Sequence, residues 1–188
     1  MKNAAQSTER VAATQEAGAK YRESLVGGGV FTVTCYDKDG NLKWEDKAKN
    51  LVVNEGLQDM NTKYFKGSTY TAAWYLGLVT GPGPSTFAAA DILASKAWTE
   101  FTNYSGNRKA VTFGTATTAD PSVIDNTASQ ASFSITGTAT VAGAFLASVD
   151  TGTSGVLFSE ADFESPGDRA VVSGDTLNVK YEFSLGDA

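Results

Sequence analysis

The sequence contains no histidine and only one cysteine, Cys35. Without histidine it cannot form a Ser/His/Asp or Cys/His catalytic site, and it cannot supply a histidine ligand to zinc. One cysteine cannot form an internal disulfide or a thiolate cluster, which fits an origin in a reducing compartment. Cys35 lies in the strand-like run "VFTVTCY", so we expect a small buried apolar residue rather than a reactive thiol. The phosphate-binding patterns GxGxxG and GxxxxGKS/T are also missing.

Long apolar runs are absent as well, since no stretch approaches the about 18 residues that a membrane-spanning helix needs. The N-terminus, "MKNAAQSTERVAATQEAGAK", lacks the apolar segment of a secretory signal, so we expect synthesis in soluble form in the cytoplasm. The 15 Lys and Arg residues are outnumbered by 21 Asp and Glu residues, which gives a net charge of −6. Such a chain repels phosphate backbones and anionic lipid, so neither nucleic acid nor a membrane is an expected partner.

Proline is scarce, at four residues, whereas 19 glycines and many Ala, Ser and Thr residues fit short strands joined by tight turns. The runs "VFTVTCY" and "NLKWEDKA", joined by "DKDGN", alternate with period two and predict a β-hairpin. The segment "DTLNVKYEFSL" alternates most regularly. We therefore predict a mainly β fold, an antiparallel β-sandwich or jelly roll, with a closed barrel as the alternative. Its predicted core comprises Phe31, Val33, Trp74, Phe133, Ile135, Leu177, Val179, Tyr181 and Phe183.

One short helix is predicted at about residues 54–65, directly after the run "NLVV". Leu57, Met60 and Tyr64 recur at the spacing of one helix face, and Asn54 can cap the first turn with its side-chain oxygen. Three polar or small residues here have no evident chemistry, so we expect them to shape a strand-to-helix corner: Asn50, Asn54 and Gly56.

The N-terminal segment differs in composition from the rest of the chain. Residues 1–26 are rich in Ala, Gln, Glu, Lys and Arg, which favours a helix, but their apolar surface is too small for independent folding. The "GGG" at 27–29 predicts a flexible hinge. We therefore predict an N-terminal arm with its glycine hinge at 1–29 and a β-sandwich domain at 30–188. The arm is expected to become helical or extended against a partner subunit, with contacts from Arg10, Val11, Lys20, Tyr21, Arg22, Leu25 and Val26.

Candidate metal-binding and catalytic carboxylates are few. In "DKDGN" the glycine stands fourth rather than sixth, and Ala48 occupies the twelfth position, so the calcium-loop pattern fails. The run "SEADFESPGDR" at 159–169 is a better candidate for a hard cation, although a solvated connection is the favoured interpretation of Glu160, Asp162, Glu164 and Asp168. A glycosidase pair could be chosen only arbitrarily among Glu100, Asp162 and Glu164. We therefore expect no catalytic, cofactor-binding or metal-binding residue and no enzymatic activity.

Aromatic residues raise the alternative of a sugar-binding platform. Sugar rings stack on exposed aromatic faces, and the candidates are Trp44, Tyr70, Trp74, Tyr75 and Trp98. Aromatic residues at alternating strand positions are more often part of a core or an interface. Glycan binding is therefore kept as the alternative interpretation.

Six segments follow one another along the chain: "NLVVNEGLQDM", "TAAWYLGLV", "KAWTEFTNYS", "GAFLAS", "GVLFSEADF" and "VVSGDTLNVKYEFSL". Together they resemble a family of small structural proteins of tailed-bacteriophage virions, of the head-decoration or neck-collar type, over roughly residues 30–186. The resemblance implies a non-enzymatic part of the particle, made in the bacterial host cytoplasm, with capsid, portal, neck or tail proteins as partners. Symmetric sites on a phage coat favour a homo-oligomer, for which we predict a trimer. The alternative is a receptor- or glycan-binding module of a tail fibre.

Overall fold

The computed structural model describes residues 25–70, 73–82, 87–164 and 167–187. These residues form two antiparallel sheets and one α-helix, which confirms the predicted mainly β fold and its β-sandwich architecture. The elements in chain order are β1 (Leu25–Tyr36), β2 (Leu42–Lys49), β3 (Leu51–Val52), α1 (Asn54–Tyr64), β4 (Tyr75–Thr80), β5 (Glu100–Phe101), β6 (Lys109–Ala110), β7 (Ser122–Asp125), a 3₁₀ turn (Thr127–Ser129), β8 (Ala131–Ser134), β9 (Ala139–Ala147), β10 (Leu157–Asp162), β11 (Arg169–Val171) and β12 (Thr176–Asp187).

The first sheet has the strand order β2-β1-β12-β7, and β8 also pairs with β12. The second sheet has the order β3-β10-β9-β4-β5, and β11 and β6 pair with β9 and β4. The 12-residue strands β1 and β12 pair along their whole length, from Leu25 opposite Asp187 to Tyr36 opposite Thr176. The predicted hairpin is confirmed, because β1 and β2 pair antiparallel across the turn at 37–41.

The core between the sheets contains most of the residues that the alternating patterns predicted to face inward. Seven of the nine predicted core residues are buried: Phe31, Val33, Phe133, Ile135, Leu177, Val179 and Tyr181. Phe183 and Trp74 are only partly buried, although both pack against this core. Both residues line a cavity at the end of the sandwich where β12 ends. The interior is therefore accessible from this end.

A second, smaller apolar cluster covers the outer face of the second sheet. The segment 87–99 has little regular structure, yet it places Leu93 and Trp98 against the sheet. Leu93 is fully buried, and the rings of Trp98 and Phe145 lie with their centroids 4.7 Å apart. This segment therefore covers apolar surface of the second sheet.

The first strand begins earlier than the composition predicts. Leu25, Val26 and the glycines at 27–29 lie in β1 and pair with the end of β12. The predicted hinge is therefore wrong, and the first sheet starts at Leu25 rather than at residue 30. The physical reason is that β12 presents unpaired backbone groups along this stretch, and pairing with them outweighs the poor strand propensity of glycine. The rest of the predicted arm lies outside the described residues, so the division into arm and domain otherwise stays a prediction.

Helix α1 confirms the predicted helix, but its start is held differently from the expectation. The N-cap residue is Val53 and no side chain caps the helix, so the capping role predicted for Asn54 is wrong. A contact with the second sheet holds this end instead, because Glu55 Oε2 accepts a hydrogen bond from the Leu157 N–H at 2.7 Å. The first turn is thus fixed by a tertiary contact of Glu55 rather than by a side-chain cap.

Gly56 has the geometric role that its position predicts. The residue is buried where α1 crosses β10. A Cβ atom at this position would lie 2.4 Å from the Phe158 carbonyl oxygen, which is closer than any side chain allows. Only glycine lets the helix approach the strand at this distance.

Candidate functional site

An apolar groove opens at the end of the sandwich where β1 begins and β12 ends. It has a volume of about 560 Å³ and lies between α1, the segment before β4 and the end of the first sheet. Among its described lining residues, charged and amide side chains come from one element, α1, which supplies Asp59, Asn61 and Lys63. The apolar and aromatic lining residues are Met60, Tyr64, Phe65, Tyr70, Trp74, Phe113, Ile124, Leu146, Phe158, Tyr181, Phe183 and Leu185.

The glycines of β1 explain why the groove is open. In the register of the two long strands, Gly27 lies opposite Leu185 and Gly29 lies opposite Phe183. Side chains alternate between the two faces of a strand, so Gly27 and Gly29 stand on the same face as the buried Phe31. A Cβ atom at Gly27 would come within 3.1 Å of the Leu185 side chain. Because β1 offers no side chain here, Phe183 and Leu185 stay partly exposed.

Three exposed aromatic residues form the rim of the groove. Tyr64 and Phe65, at the C-terminal end of α1, are 83% and 80% exposed, and Tyr70 is 56% exposed. The rings of Tyr64 and Phe65 meet edge to face with their centroids 4.9 Å apart. Trp74 Nε1–H donates to the Tyr70 hydroxyl at 3.2 Å, which holds these two side chains together. Exposed aromatic side chains around one groove are typical of protein-binding surfaces.

A buried polar network lies beneath the groove. The Tyr181 hydroxyl accepts hydrogen bonds from Asn50 Nδ2 at 2.9 Å and from Ser159 Oγ at 3.2 Å. Burial raises the pKa of the Tyr181 phenol well above its usual range, so this group stays neutral. Asn50 Oδ1 also accepts a hydrogen bond from the Gly29 N–H. A single amide side chain therefore joins the connection after β2 to both β1 and β12.

Sequence reasoning missed the groove, although one signal for its rim is present. Tyr64 and Phe65 are adjacent at the end of a helix, and adjacent helix positions point about 100° apart. A helix that packs on one face cannot bury two adjacent large aromatic side chains equally well. The pair therefore indicates that aromatic surface stays available at this end of α1.

The acidic run is divided between strand β10 and the segment that follows it. Glu160 and Asp162 lie in β10, so the interpretation as a solvated connection is wrong for these two residues, whereas Glu164 is exposed. Within the described ranges, no three His, Cys, Asp or Glu side chains stand close enough together to hold a metal ion. The cation site considered for this run therefore has no geometric support.

Glu160 is completely buried beneath the segment 87–99. Its Oε2 accepts a hydrogen bond from Trp98 Nε1 at 2.7 Å, whereas Oε1 has no hydrogen-bond partner among the described residues. Burial raises the pKa of Glu160 to about 8, and the nearby Asp91 carboxylate adds to this effect, while the Trp98 hydrogen bond opposes it. Glu160 is not among the residues that line the groove, so its raised pKa results from its burial in the fold and is not a property of the groove.

Glu100, the remaining carboxylate considered for catalysis, belongs to a structural ion pair. The Arg108 guanidinium donates from Nε and Nη2 to the two oxygens of Glu100 at 2.8 and 2.7 Å. The same guanidinium donates to the backbone carbonyls of Val149 and Gly152. With four donated hydrogen bonds and a side chain that is 2% exposed, Arg108 fixes the connections around β5 and β6.

The five aromatic residues considered for sugar stacking do not share one surface. Trp98 is buried, and Trp44 packs against Phe163 with ring centroids 6.0 Å apart, away from the groove. Tyr75 lies in β4 and is partly buried. Trp74 and Tyr70 are the two that lie together, and both line the apolar groove.

Of the seven residues predicted to contact a partner, two lie at the start of β1 and five precede it. Leu25 and Val26 belong to this strand and pair through their backbones with Asp187 and Gly186. They therefore belong to the first sheet rather than to the predicted helical or extended arm, and their contact with a partner subunit stays a prediction. The other five lie outside the described residues, and their role stays a prediction: Arg10, Val11, Lys20, Tyr21 and Arg22.

Cys35 has the buried environment that its strand position predicts. The thiol is free and buried on β1. Burial raises its pKa to about 12, and the Asp175 carboxylate contributes in the same direction. A thiol that stays protonated at neutral pH is a poor nucleophile, so Cys35 acts as a small core residue.

No family model, curated protein or solved structure matches the chain. Within the part of the chain that the structure describes, no helix combines the length and apolarity needed to cross a membrane. What the protein does must therefore be inferred from its own groove, charges and sequence.

Proposed function

We propose that this protein is a non-enzymatic structural subunit that binds other proteins through its apolar groove. The observation that carries the proposal is the rim of Tyr64, Phe65 and Tyr70 beside the partly exposed Phe183 and Leu185. Keeping apolar surface in water costs about 25 cal/mol per Å², and a partner side chain that covers it recovers this free energy. A few buried aromatic anchors can supply most of the binding energy of an interface.

Two features support a binding role over catalysis. The polar side chains of the groove, apart from the Tyr hydroxyls, are confined to one wall, where Asp59, Asn61 and Lys63 lie. The groups with strongly shifted pKa values do not meet there as an acid and base pair, since Glu160 lies under the segment 87–99 and Cys35 lies in the core. The chemistry of the groove is therefore suited to holding an apolar partner.

The subunit is assigned to the virion of a tailed phage, where it decorates or reinforces the head or the neck between head and tail. The resemblance of its sequence motifs to small virion proteins supports this assignment. A compact β-sandwich with an N-terminal arm also suits attachment to a larger protein surface. The partners are then capsid, portal, neck or tail proteins, and the site of synthesis is the host cytoplasm.

A receptor- or glycan-binding tail module is the second candidate, and the Trp74 and Tyr70 pair is the feature that favours it. Aromatic rings stack on sugars, but sugar recognition also needs polar groups around the hydroxyls. The groove concentrates its charged and amide groups on α1, and its other walls are apolar. A protein side chain fits this lining better than a sugar.

Quantitative mass spectrometry of purified particles from infected cells tests the virion assignment. Many dozens of copies per particle indicate a head protein, whereas about six to twelve copies indicate the neck or tail, in keeping with the symmetry of each site. A protein that accumulates in the lysate and is missing from the particles would not be a virion subunit. A receptor-binding module would instead attach to host cells, and Trp74→Ala would abolish that attachment.

A further inference from the structure

We infer that the apolar groove of one copy binds the N-terminal arm, residues 1–24, of a second copy of this chain. This inference rests on the proposed function, because it names the first partner that the groove receives. Four observations carry it: where the arm leaves the fold, how far it reaches, in which direction it leaves, and how its charges compare with those of the sandwich.

The arm leaves the fold at the mouth of the groove. Leu25, the first described residue, pairs with Asp187, two positions beyond the groove residue Leu185 on β12. The 24 residues before it span about 36 Å as a helix and up to about 80 Å when extended. The arm is therefore long enough to reach the groove of a neighbouring copy.

The direction of β1 favours a neighbouring copy over the chain's own groove. Traced backward from Gly27, β1 runs beside the groove residue Leu185 and begins at Leu25, opposite Asp187 at the end of β12. To enter its own groove the arm would have to reverse just before Leu25. Apart from Ser24, the residues at 19–24 ("AKYRES") include none of the types that favour a tight reversal. Binding to a second copy requires no reversal here.

The charges of the arm complement those of the sandwich. The arm holds four of the 15 Lys and Arg residues but only three of the 21 Asp and Glu residues, so its net charge is +1 against −7 for the rest. Two sandwiches with this charge repel each other, and the arm is the part that either of them attracts.

The local charges at the groove agree with this balance. Asp59 lines the groove and forms no ion pair with any residue that the structure describes. In the arm, Lys20 and Arg22 flank Tyr21, its one aromatic residue. A tyrosine that enters the apolar groove therefore brings two cations to the wall that carries Asp59, where Lys63 is the one other charged lining residue described.

The contact is head-to-tail, since each copy donates one arm and accepts another. Such a contact gives a closed ring when the rotation between neighbours permits closure. The trimer predicted from the sequence is one such ring. In this arrangement the same aromatic rim that is exposed in a single copy becomes covered in the oligomer.

Disulfide cross-linking of the full-length chain tests the inference. Ala19→Cys and Asn61→Cys together place one thiol on the arm and one on the groove wall while keeping Tyr21, Tyr64 and Phe65. The native Cys35 is buried and does not compete. We expect mild oxidation to give covalent dimers and larger species, with mass spectrometry locating the bond between positions 19 and 61 of different chains.

The matched control combines Ala19→Cys with Leu42→Cys. Leu42 is 60% exposed and pairs with Tyr36 at the far end of β1. At the rise of a strand it lies about 23–30 Å from Gly29 and Gly27, which border the groove. We expect at least tenfold less cross-linked product from this control. Equal yields from the two pairs would mean that the arm meets the surface at random, and this would overturn the inference.

Two other results would also overturn it. A bond between positions 19 and 61 of the same chain would show that the arm fills its own groove, and the absence of any such bond would show that it does not enter. Particle incorporation, measured separately, distinguishes this failure from failure of the proposed function. If the protein is found in particles but the bond does not form, the virion role stands. If its copies are joined by the bond but the protein is missing from particles, only the groove contact stands.

Discussion

At the scale of single residues, the Glu160 carboxyl group is buried at a position where its charged form is poorly solvated. The ordinary pKa of 4.5 applies to the unfolded chain, whereas burial raises the pKa in the fold to about 8. Between these two values the folded protein keeps a proton that the unfolded chain has released. The bound proton therefore contributes fully to the free energy of unfolding below the lower pKa. This contribution is lost as the pH rises toward the higher pKa.

We expect Glu160→Gln to remove this pH dependence. Glutamine keeps an oxygen that accepts the Trp98 Nε1–H and carries no charge. In urea denaturation, the free energy of unfolding of the wild type should fall by up to about 1.4 kcal/mol per pH unit between about pH 5 and 8. The free energy of unfolding of Glu160→Gln should be nearly independent of pH over this range. The control Glu164→Gln changes an exposed residue of the same acidic run and should keep the wild-type slope. Parallel curves for the wild type and Glu160→Gln would show that Glu160 ionises normally.

A second prediction at this scale concerns Asn50, which joins the Gly29 backbone to the Tyr181 hydroxyl. Asn50→Ala leaves the buried Tyr181 hydroxyl and the part-buried Gly29 N–H with fewer partners, so we expect a loss of about 1–3 kcal/mol in the free energy of unfolding. Asn61→Ala, an exposed amide on the groove wall, should change it by less than about 0.5 kcal/mol. Equal effects in chemical denaturation would mean that the network beneath the groove contributes nothing specific.

Neither residue reveals its role in the sequence. Asn50 bonds to partners 21 and 131 residues away, so no local spacing indicates them. Glu160 stands among other acidic residues, and such a run is typical of solvated surface. Its burial depends on Trp98, 62 residues earlier in the chain, which covers the strand from outside. Long-range contacts of this kind are visible only in the folded chain.

At the scale of elements, helix α1 is the wall that sets the width of the groove. Its position depends on Gly56, because the helix crosses β10 at this residue. The presence and length of the helix could be predicted from the spacing of Leu57, Met60 and Tyr64. The face that this spacing predicts to be packed is wrong, because Leu57 and Tyr64 are exposed. The close crossing of α1 over β10 could not be predicted from the sequence, because it depends on the Phe158 backbone in a distant strand.

We expect Gly56→Ala to destabilise the protein although alanine favours helices. By propensity alone the change should stabilise a helix by about 1 kcal/mol. A Cβ atom 2.4 Å from the Phe158 carbonyl oxygen must instead push α1 outward, at a cost of about 1–3 kcal/mol. Gln58→Ala, on the exposed side of the same helix, should be neutral or slightly stabilising. A rise in melting temperature for Gly56→Ala would show that the helix shifts freely.

The strands show the same division between local and distant causes. The hairpin of β1 and β2 and the alternation of β12 follow from period two and turn residues, which short stretches of sequence display. The start of β1 could not be predicted in this way, because three consecutive glycines show no alternation of apolar and polar residues. Their strand conformation comes from pairing with residues more than 150 positions later. The groove depends on this pairing, so the site was harder to predict than the fold.

At the scale of the whole molecule, the arm and the sandwich have different tasks. The sandwich contains the two apolar clusters and the long strand pairs, which supply its stability. Residues 1–24 have helix-forming composition but too little apolar surface to fold alone. The sheet begins at Leu25, so a deletion that separates the two tasks must end at residue 24 and spare the pairs at Leu25 and Val26.

We expect deletion of residues 2–24 to leave the melting temperature almost unchanged while abolishing incorporation into virions. The sandwich loses no described strand pair, but each copy loses the segment that we infer to bind a neighbouring copy. We expect this link between copies to anchor the subunit on the particle. A deletion of residues 2–29 is the informative comparison, because it also removes the pairs between the glycines and β12 and the Gly29 N–H that Asn50 binds. That longer deletion should lower the melting temperature measurably in calorimetry, since several ladder hydrogen bonds disappear with the strand. Normal incorporation of the shorter deletion would rule out the arm as the anchor and leave the sandwich surface as the only attachment.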